Sequence, residues 1–327
     1  MNPDLLDKRF LVVAGKGGVG KSSVACALGL RSARAGKRTV VAELGARSSI
    51  PGLFGKSGSS YEPLKLTENL FSVHVEPDPA LREYAMRKLK FETLYNLVFE
   101  NEGVRRFLEV IPGMNELLIL GKAYDLEREI SAGAPAWDTV IIDAPATGHG
   151  VSLLRLPQVI LQVVEQGPMA EEARRMRALL EDASRTAMVL VTLLEEMPVR
   201  ETLELHEMAT STLAMPIGPL IVNRVWPSEL STEARDRWLS GERPQGLTSE
   251  LAAQIHTLDR SLGRAAWQRE HLRTLREHLG VDPLLLPELP RGTFDRTSIL
   301  TLAQAINSQL EAEPNPSPPT PSPRSAP

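Results

Sequence analysis

The sequence predicts an α/β fold with a mostly parallel central β-sheet, helices on both of its faces and an additional helical insertion. A short apolar strand at 10–14 runs into a glycine-rich loop and then into a helix-forming segment that stops at Gly36, as strand–loop–helix units do. A second β-branched segment, 137–143, ends in a carboxylate, as a buried parallel strand does at the carboxyl edge of a sheet. The 327 residues, 42% of them hydrophobic, are enough for one large core.

The loop after the first strand carries a phosphate-binding pattern, Gly15-Lys16-Gly17-Gly18-Val19-Gly20-Lys21-Ser22-Ser23. Glycines let backbone N–H groups converge on an anion at a helix N-terminus, where the helix dipole also favours negative charge. We expect Lys21 to reach the β- and γ-phosphates of ATP and Ser22 to ligate Mg²⁺. The alternative, a glycine-rich turn that binds nothing, fits the flanking strand and helix less well. The predicted nucleotide-binding residues here are Gly15, Gly17, Gly18, Val19, Gly20, Lys21, Ser22 and Ser23.

A second lysine, Lys16, directly follows the first glycine. The arrangement Gly-Lys-Gly-Gly-x-Gly-Lys-Ser/Thr is the deviant Walker A form, and it resembles the ArsA/ParA/MinD class of dimeric P-loop ATPases. The resemblance implies that Lys16 reaches across a dimer interface to the partner's nucleotide, where a cation neutralises charge that develops in the transition state. The alternative is a solvated surface lysine.

The next strand, predicted at 38–43, ends in Glu43. In the resembled class an acidic residue at this place orients the attacking water. The usual residue is aspartate, so Glu43 keeps the carboxylate but holds it one methylene further out, and a slower turnover is a hypothesis. A solvated glutamate at the end of a strand is the alternative.

The strand at 137–143 ends in Asp143, which we expect to hold Mg²⁺, directly or through water, as a Walker B aspartate does. It is followed by Thr147-Gly148-His149 and later by Leu156-Pro157. These residues resemble the signature of the ArsA family of ATPases, Asp-Thr-Ala-Pro-Thr-Gly-His followed by a helix that ends in Leu-Pro, although positions 144–146 match only loosely. The resemblance implies that Thr147, Gly148 and His149 form a switch that senses the γ-phosphate, and that His149 is not a metal ligand.

Three later segments extend the resemblance. The stretch 190–202 resembles the family's Pro/Val-x-Glu-Thr segment at the nucleotide and dimer face. The strand predicted at 216–223 ends in Asn223, whose amide would, by the family pattern, bond the adenine edge with one donor and one acceptor. Pro287 begins a stretch that resembles the loop packed over the base. Together the matches run from Leu11 to about Ile306.

The predicted domain organisation is one ArsA-like ATPase domain at 1–310 followed by a proline-rich disordered tail at 311–327. The helical insertion at about 79–130 is a lid or a partner surface, and its apolar stripes are more typical of core than of a client groove. The segment 228–280 reads as helical, and its mixed charges indicate a solvated face rather than a basic helix for nucleic acid.

Charge and composition exclude several function classes. A net charge of −4 gives no electrostatic footprint for nucleic acid, so none is expected as a partner. No apolar run of about 18 residues and no signal peptide is present, so we expect a cytoplasmic protein without stable membrane insertion.

The single cysteine, Cys26, permits no intrachain disulfide and no Cys-x-x-Cys site, and we interpret it as a core residue. His74 is interpreted as a packed residue at the edge of the core.

The resulting hypothesis is an ATPase switch in which Mg-ATP bridges two protomers, with Lys16, Lys21, Glu43 and Asp143 as its catalytic residues and a possible protein client. The dimer is either a homodimer or a heterodimer with a paralogous ATPase. The alternative is an ATP-binding regulatory or scaffold subunit with little turnover that pairs with such a paralogue. Positioning on DNA or membrane is disfavoured. So are the arsenite-pump and tail-anchored-protein roles, because the chain has half the pump's tandem length and one cysteine.

Overall fold

The computed structural model describes residues 5–44, 48–89, 113–226, 249–290 and 292–311. Within them the strands are β1 (Phe10–Ala14), β2 (Thr39–Leu44), β3 (Leu64–Lys65), β4 (Leu70–Val75), β5 (Ile130–Ser131), β6 (Ala134–Pro135), β7 (Thr139–Asp143), β8 (Thr186–Thr192), β9 (Ile217–Val225) and β10 (Leu284–Pro287). The α-helices are α1 (Lys21–Arg34), α2 (Ile50–Leu53), α3 (Pro77–Leu89), α4 (Met114–Arg128), α5 (Thr147–Val163), α6 (Pro168–Glu181), α7 (Glu196–Ser211), α8 (Ser249–Leu279) and α9 (Arg296–Glu311).

Eight of these strands form one sheet in the order β10-β9-β8-β1-β7-β2-β4-β3. Every neighbouring pair is parallel except β3 with β4, and β5 and β6 form a separate small ribbon. The central strands are buried along their whole length and are mostly apolar, as strands covered on both faces are. The predicted α/β class with a mostly parallel sheet is confirmed.

Helices cover both faces of the sheet and enclose two apolar cores. On one face α1 packs against β1, β2 and β7, and α9 packs against α1 and β10. On the other face lie α4, α5, α6 and α7, with the C-terminal part of α8. Cys26 in α1 and His74 in β4 are both buried, as their interpretation required.

Strand register determines which residues meet at the carboxyl edge. Val13 of β1 lies beside Asp143 of β7, and Glu43 of β2 lies on the other side of Asp143. The loop after β1 therefore begins next to two carboxylates. Ligands of open parallel sheets bind at this edge, beside strands whose connections diverge.

The helix after β7 differs from its prediction. The family pattern ended it at Leu156-Pro157, but α5 continues through Pro157 to Val163. Proline in a helix interior removes one backbone hydrogen bond and crowds the preceding turn. Here Val151, Leu153 and Leu154 are buried against the sheet, and this packing keeps the segment helical.

Several predictions fall partly outside the described residues. The insertion at 79–130 is helical in α3 and α4, while 90–112 lies outside the described ranges. Of the segment 228–280, residues 249–279 form α8, and 228–248 lie outside the described ranges, as does the tail from 312. Among the described helices, none combines the length and apolar character that crossing a membrane requires.

Candidate functional site

The loop between β1 and α1 is held by two close backbone approaches that only glycine allows. Gly15 has a φ of +155°, and a Cβ there would lie 2.2 Å from the carbonyl oxygen of Val191 at the end of β8. Gly20 has a φ of +94°, and its Cβ would lie 2.3 Å from Nδ2 of Asn223. Gly15 and Gly20 are therefore required by the fold itself as well as by access of an anion to the backbone.

The N-terminus of α1 supplies donors for an anion. No side chain caps it, and its first turn contains no acidic residue. The first N–H groups of a helix have no intrahelical partner, and the helix dipole makes this end electropositive. The loop and helix together form the arrangement that binds phosphate groups in nucleotide-binding folds.

Lys21 is directed back over the loop. Its Nζ donates to the backbone oxygen of Lys16 at 3.1 Å. Burial lowers the pKa of Lys21, and the nearby Asp143 carboxylate opposes that shift. The ammonium is thus partly stripped of water and positioned beside the loop, where it can exchange a carbonyl for a phosphate oxygen.

Asp143 and Ser22 meet below the loop. The Ser22 hydroxyl donates to Asp143 Oδ2 at 2.5 Å. Asp143 is only 8% exposed, and burial raises its pKa to about 6, although the Ser22 hydrogen bond and Lys21 act in the opposite direction. Its other oxygen, Oδ1, is buried and has no hydrogen-bond partner in the part of the chain that is described.

This donor set fits Mg²⁺. A hydroxyl and a carboxylate are oxygen ligands, and a buried oxygen without a partner gains from a cation. Within the described ranges, no group of three or more His, Cys, Asp or Glu side chains could hold a metal by itself. Mg²⁺ in nucleotide sites typically has one or two protein ligands and takes the others from phosphate and water.

Glu43 is not the solvated glutamate of the alternative interpretation, because it is 4% exposed. Its Oε1 accepts hydrogen bonds from Ser49 N, Ser49 Oγ and Ile50 N at 2.7, 3.0 and 3.1 Å, and Oε2 accepts one from Ser48 Oγ at 2.7 Å. The carboxylate thereby caps the N-terminus of α2. In this arrangement its lone pairs are directed to the protein's own donors.

Lys16 pairs within its own chain. Its Nζ lies 2.6 Å from Oε1 of Glu201 on α7, and the two side chains are 30% and 24% exposed. Lys16 is therefore neither fully solvated nor directed into the phosphate loop. Glu201 lies within the 190–202 stretch singled out from the sequence, but the sequence carried no signal for this pairing across 185 positions.

Asn223 lies beneath the loop. Its Nδ2 donates to the carbonyl of Val19 at 2.9 Å, and its Oδ1 accepts from Arg224 N at 2.9 Å. Both polar groups of the buried amide are thus engaged within the chain. Pro287 lies on the neighbouring strand, where it pairs with Val225 at the same edge of the sheet.

The chain beyond Asn223 is fixed by a residue that the sequence did not point to. Gln268 of α8 accepts from Trp226 N at 2.8 Å and donates to the carbonyl of Arg224 at 3.2 Å. Arg224 has a φ of +54°, and the register of pairing between β9 and β10 shifts between Val222 and Val225. The guanidinium of Arg264 covers the Trp226 ring at 4.7 Å. These contacts dock α8 against the end of β9.

Thr147, Gly148 and His149 form the first turn of α5, which begins four residues after Asp143. The structure therefore brings the loop after β1, Glu43, Asp143, the first turn of α5 and Asn223 to one edge of the sheet. Roles of individual residues in binding or turnover remain predictions.

Comparison with known proteins gives a consistent result. Residues 8–167 match the ArsA family model, described as anion-transporting ATPase. The chain is 30% identical over 246 residues to the ATPase BagA of Mycobacterium tuberculosis, an alignment that covers 72% of this chain and 70% of that protein. It is 28% identical over 268 residues to an arsenical pump-driving ATPase of Escherichia coli and 27% over 302 residues to that of Acidiphilium multivorum. These alignments cover 76% and 87% of this chain but only 45% and 46% of the pump-driving ATPases.

Proposed function

The chain belongs to the ArsA family of ATPases, and from that premise we propose that it is an ATP-hydrolysing dimeric switch. In this proposal Mg-ATP joins two protomers, either two copies or one copy and a paralogous ATPase. Hydrolysis then changes their arrangement and their engagement of a partner or client protein.

The proposal rests mainly on the pair formed by Ser22 and Asp143. The Ser22 hydroxyl lies 2.5 Å from Asp143 Oδ2 beneath the loop, and Asp143 Oδ1 is buried without a hydrogen-bond partner within the described residues. A buried carboxylate in this state is costly, since its charge is desolvated and only partly compensated. Mg²⁺ bound beside the phosphates would compensate it. Arrangements that cost stability in the ligand-free protein are typical of functional sites.

The remaining residues have roles that follow from their chemistry. Backbone N–H groups of the loop and of α1 bind the phosphates, and Lys21 exchanges its bond to Lys16 O for a phosphate oxygen. Ser22 and Asp143 hold Mg²⁺, which neutralises charge on the β- and γ-phosphates when bound. Lys16 of one protomer acts on the nucleotide of the other and offsets charge in the transition state.

The test is sizing of the purified protein with and without Mg-ATP, with phosphate release followed in the same samples. We expect a nucleotide-dependent dimer and a specific activity that rises with protein concentration. Lys21→Gln should abolish both, while Lys56→Gln, at an exposed position outside the site, should leave them unchanged. Saturable ATP binding without dimer formation or phosphate release would contradict the homodimeric form of the proposal, and the same assay with a paralogous ATPase added would then test the heterodimer.

A second candidate function is an ATP-binding regulatory or scaffold subunit with little turnover of its own. The hydrogen bonds that occupy Glu43 favour it, because a carboxylate that caps α2 must first give up bonds to Ser48, Ser49 or Ile50 before it can orient water. The two functions differ in single-turnover experiments with enzyme in excess over ATP. A switch converts the bound ATP within minutes, whereas a scaffold subunit returns it intact.

A further inference from the structure

The two lysines of the loop face different partners. Lys21 lies over the loop beside Asp143, while Lys16 extends to α7 and bonds Glu201 at 2.6 Å. The lysine that the proposed function assigns to a second protomer's nucleotide is thus held by a carboxylate of its own chain.

The backbone explains why Lys16 can reach α7. Gly15 lies against Val191 near the end of β8, and α7 begins at Glu196, four residues after that strand ends. Close approach of the loop to β8 therefore brings Lys16 beside the first turns of α7. A larger residue at position 15 would push the loop away from this helix.

Glu201 has a well-defined position. Its neighbours Val199, Thr202 and Leu205 are 1–4% exposed and anchor α7 to the core. Thr202 also bonds the carbonyl of Pro198 at 2.7 Å. Glu201 itself lies at the border of this buried face, so the helix presents its carboxylate at a fixed place next to the loop.

We propose that Glu201 is a positioning residue for Lys16: it holds the ammonium on α7 in the single protomer, and the pair must open before Lys16 can act on a second protomer's nucleotide. This inference rests on the proposed function. The Lys16–Glu201 pair opposes dimer formation until the phosphates of the second protomer's ATP compete with Glu201 for the Lys16 ammonium.

The exposure of the pair suits such a role. A buried ion pair would be costly to separate, whereas partly exposed partners regain water when they part. A surface groove of about 620 Å³ between α5 and α7 runs beside Glu201 and is lined also by Arg155, Arg200 and Met197, whose side chain is 53% exposed. The pair therefore lies at a surface that a second protomer can approach.

The first experiment compares nucleotide-dependent dimerisation of the wild-type protein, Glu201→Gln and Glu201→Asp by sedimentation with Mg²⁺ and a non-hydrolysable ATP analogue. Glu201→Gln removes the charge that holds Lys16 and should tighten the dimer by roughly two- to fivefold, the range for a partly exposed ion pair. Glu201→Asp keeps the charge and should restore wild-type behaviour. Glu204→Gln is the matched control, because Glu204 lies one turn along α7 and pairs with Arg200.

The second experiment needs no nucleotide. Lysine acylation with a small N-hydroxysuccinimide ester, quantified by mass spectrometry, compares Lys16 with the exposed Lys65 in the same molecule. An ammonium held by a carboxylate is shielded from the reagent, so Lys16 should react at least twofold faster in Glu201→Gln than in the wild-type protein or in Glu204→Gln. A merely structural role of Glu201 would not change the reactivity of this one lysine.

The outcomes separate the two proposals. If the wild-type protein neither dimerises nor releases phosphate, the homodimeric form of the proposed function fails, and the labelling still decides whether Glu201 holds Lys16. If Lys16 labels equally in all variants, or if Glu201→Gln weakens the dimer, the inference about Glu201 is overturned even where the protein is an active switch.

Discussion

Asn223 at the end of β9 donates a hydrogen bond to the carbonyl of Val19 at 2.9 Å, and so joins the phosphate loop to a strand 204 positions away. The same amide group lies so close to Gly20 that no side chain fits between them. The conformation of the loop thus depends on a residue that the family pattern assigns to the adenine base.

Asn223→Ala tests whether Asn223 acts mainly by holding the phosphate loop or by binding the adenine base. If Asn223 acts through the loop, the substitution should weaken binding of ATP and of inorganic tripolyphosphate alike, by roughly 5- to 30-fold, because the buried carbonyl of Val19 loses its partner. Calorimetric titration with both ligands measures this. Asn69→Ala, whose amide approaches Ala33 O at 3.4 Å away from the loop, is the control. Loss of ATP affinity with unchanged tripolyphosphate affinity would assign Asn223 to the base instead.

Gly15→Ala should remove nucleotide binding through the backbone. A Cβ at this position would lie 2.2 Å from Val191 O, so the loop or β8 must move, at a cost of about 2–4 kcal/mol in the free energy of unfolding. Gly52→Ala is the matched control, since its Cβ would meet nothing within 4 Å and its φ is ordinary. Urea unfolding and nucleotide titration of both variants check the prediction. Equal stability of the two would contradict the close approach.

Asp143→Asn should stabilise the ligand-free protein at neutral pH. Burial raises the pKa of Asp143 from 3.8 to about 6, so between these values the folded protein binds more protons at this site than the unfolded chain does. Its contribution to stability is therefore greatest below pH 4 and is lost as pH rises to about 6. The asparagine variant should be more stable than the wild-type protein by about 1–3 kcal/mol at pH 7.5 and by nearly nothing at pH 4.

Urea unfolding at both pH values without Mg²⁺ measures this difference, and the exposed Asp138 provides the control as Asp138→Asn. A stability difference that does not change with pH would show that Asp143 is not a buried, titrating carboxylate.

Asp143→Asn should also lose the Mg²⁺ dependence of nucleotide binding. In the wild-type protein, Mg²⁺ affinity should fall by up to about tenfold per pH unit below pH 6, because Mg²⁺ must displace the proton.

Glu43→Ala should loosen the segment after β2. It leaves the N–H groups of Ser49 and Ile50 without their acceptor, at an expected cost of about 2–4 kcal/mol in stability. Ser48→Ala removes only one of the four bonds to Glu43 and should cost about 1 kcal/mol. Denaturation and limited proteolysis of both variants test the capping role. A single-turnover rate that falls in Glu43→Ala but persists in Ser48→Ala would add a direct role in hydrolysis.

The positions of Ser22 and Asp143 at the carboxyl edge of the sheet could be predicted because the sequence patterns that place them are local. A strand, a glycine loop and a helix place Ser22, and a β-branched run that ends in Asp143 places the carboxylate on a parallel neighbour. Both residues must then lie at the carboxyl edge, and the observed contact follows from that register. Cys26 and His74 were also correctly assigned to packed positions.

Other features depend on tertiary contacts that no local pattern encodes. The pairing of Lys16 with Glu201 needs the approach of the loop to β8 and the rotation of α7. An amide such as Asn223 suits a base or a backbone carbonyl equally well, so the residue type cannot distinguish them. At Pro157 the prediction was wrong, because burial of the helix outweighed the local preference of proline to end it.

Cys26 gives the protein a practical property. It is the single thiol of the chain, it is fully buried in α1 directly behind the phosphate loop, and burial raises its pKa. Thiol-modifying reagents can therefore reach Cys26 only when this helix opens. The rate of thiol modification thus reports how often the nucleotide-binding core opens. A cysteine introduced on the surface of α7 or α5 can carry a dye or spin label while the buried native thiol remains unmodified. Distances between two protomers can then be followed on the natural background of the chain.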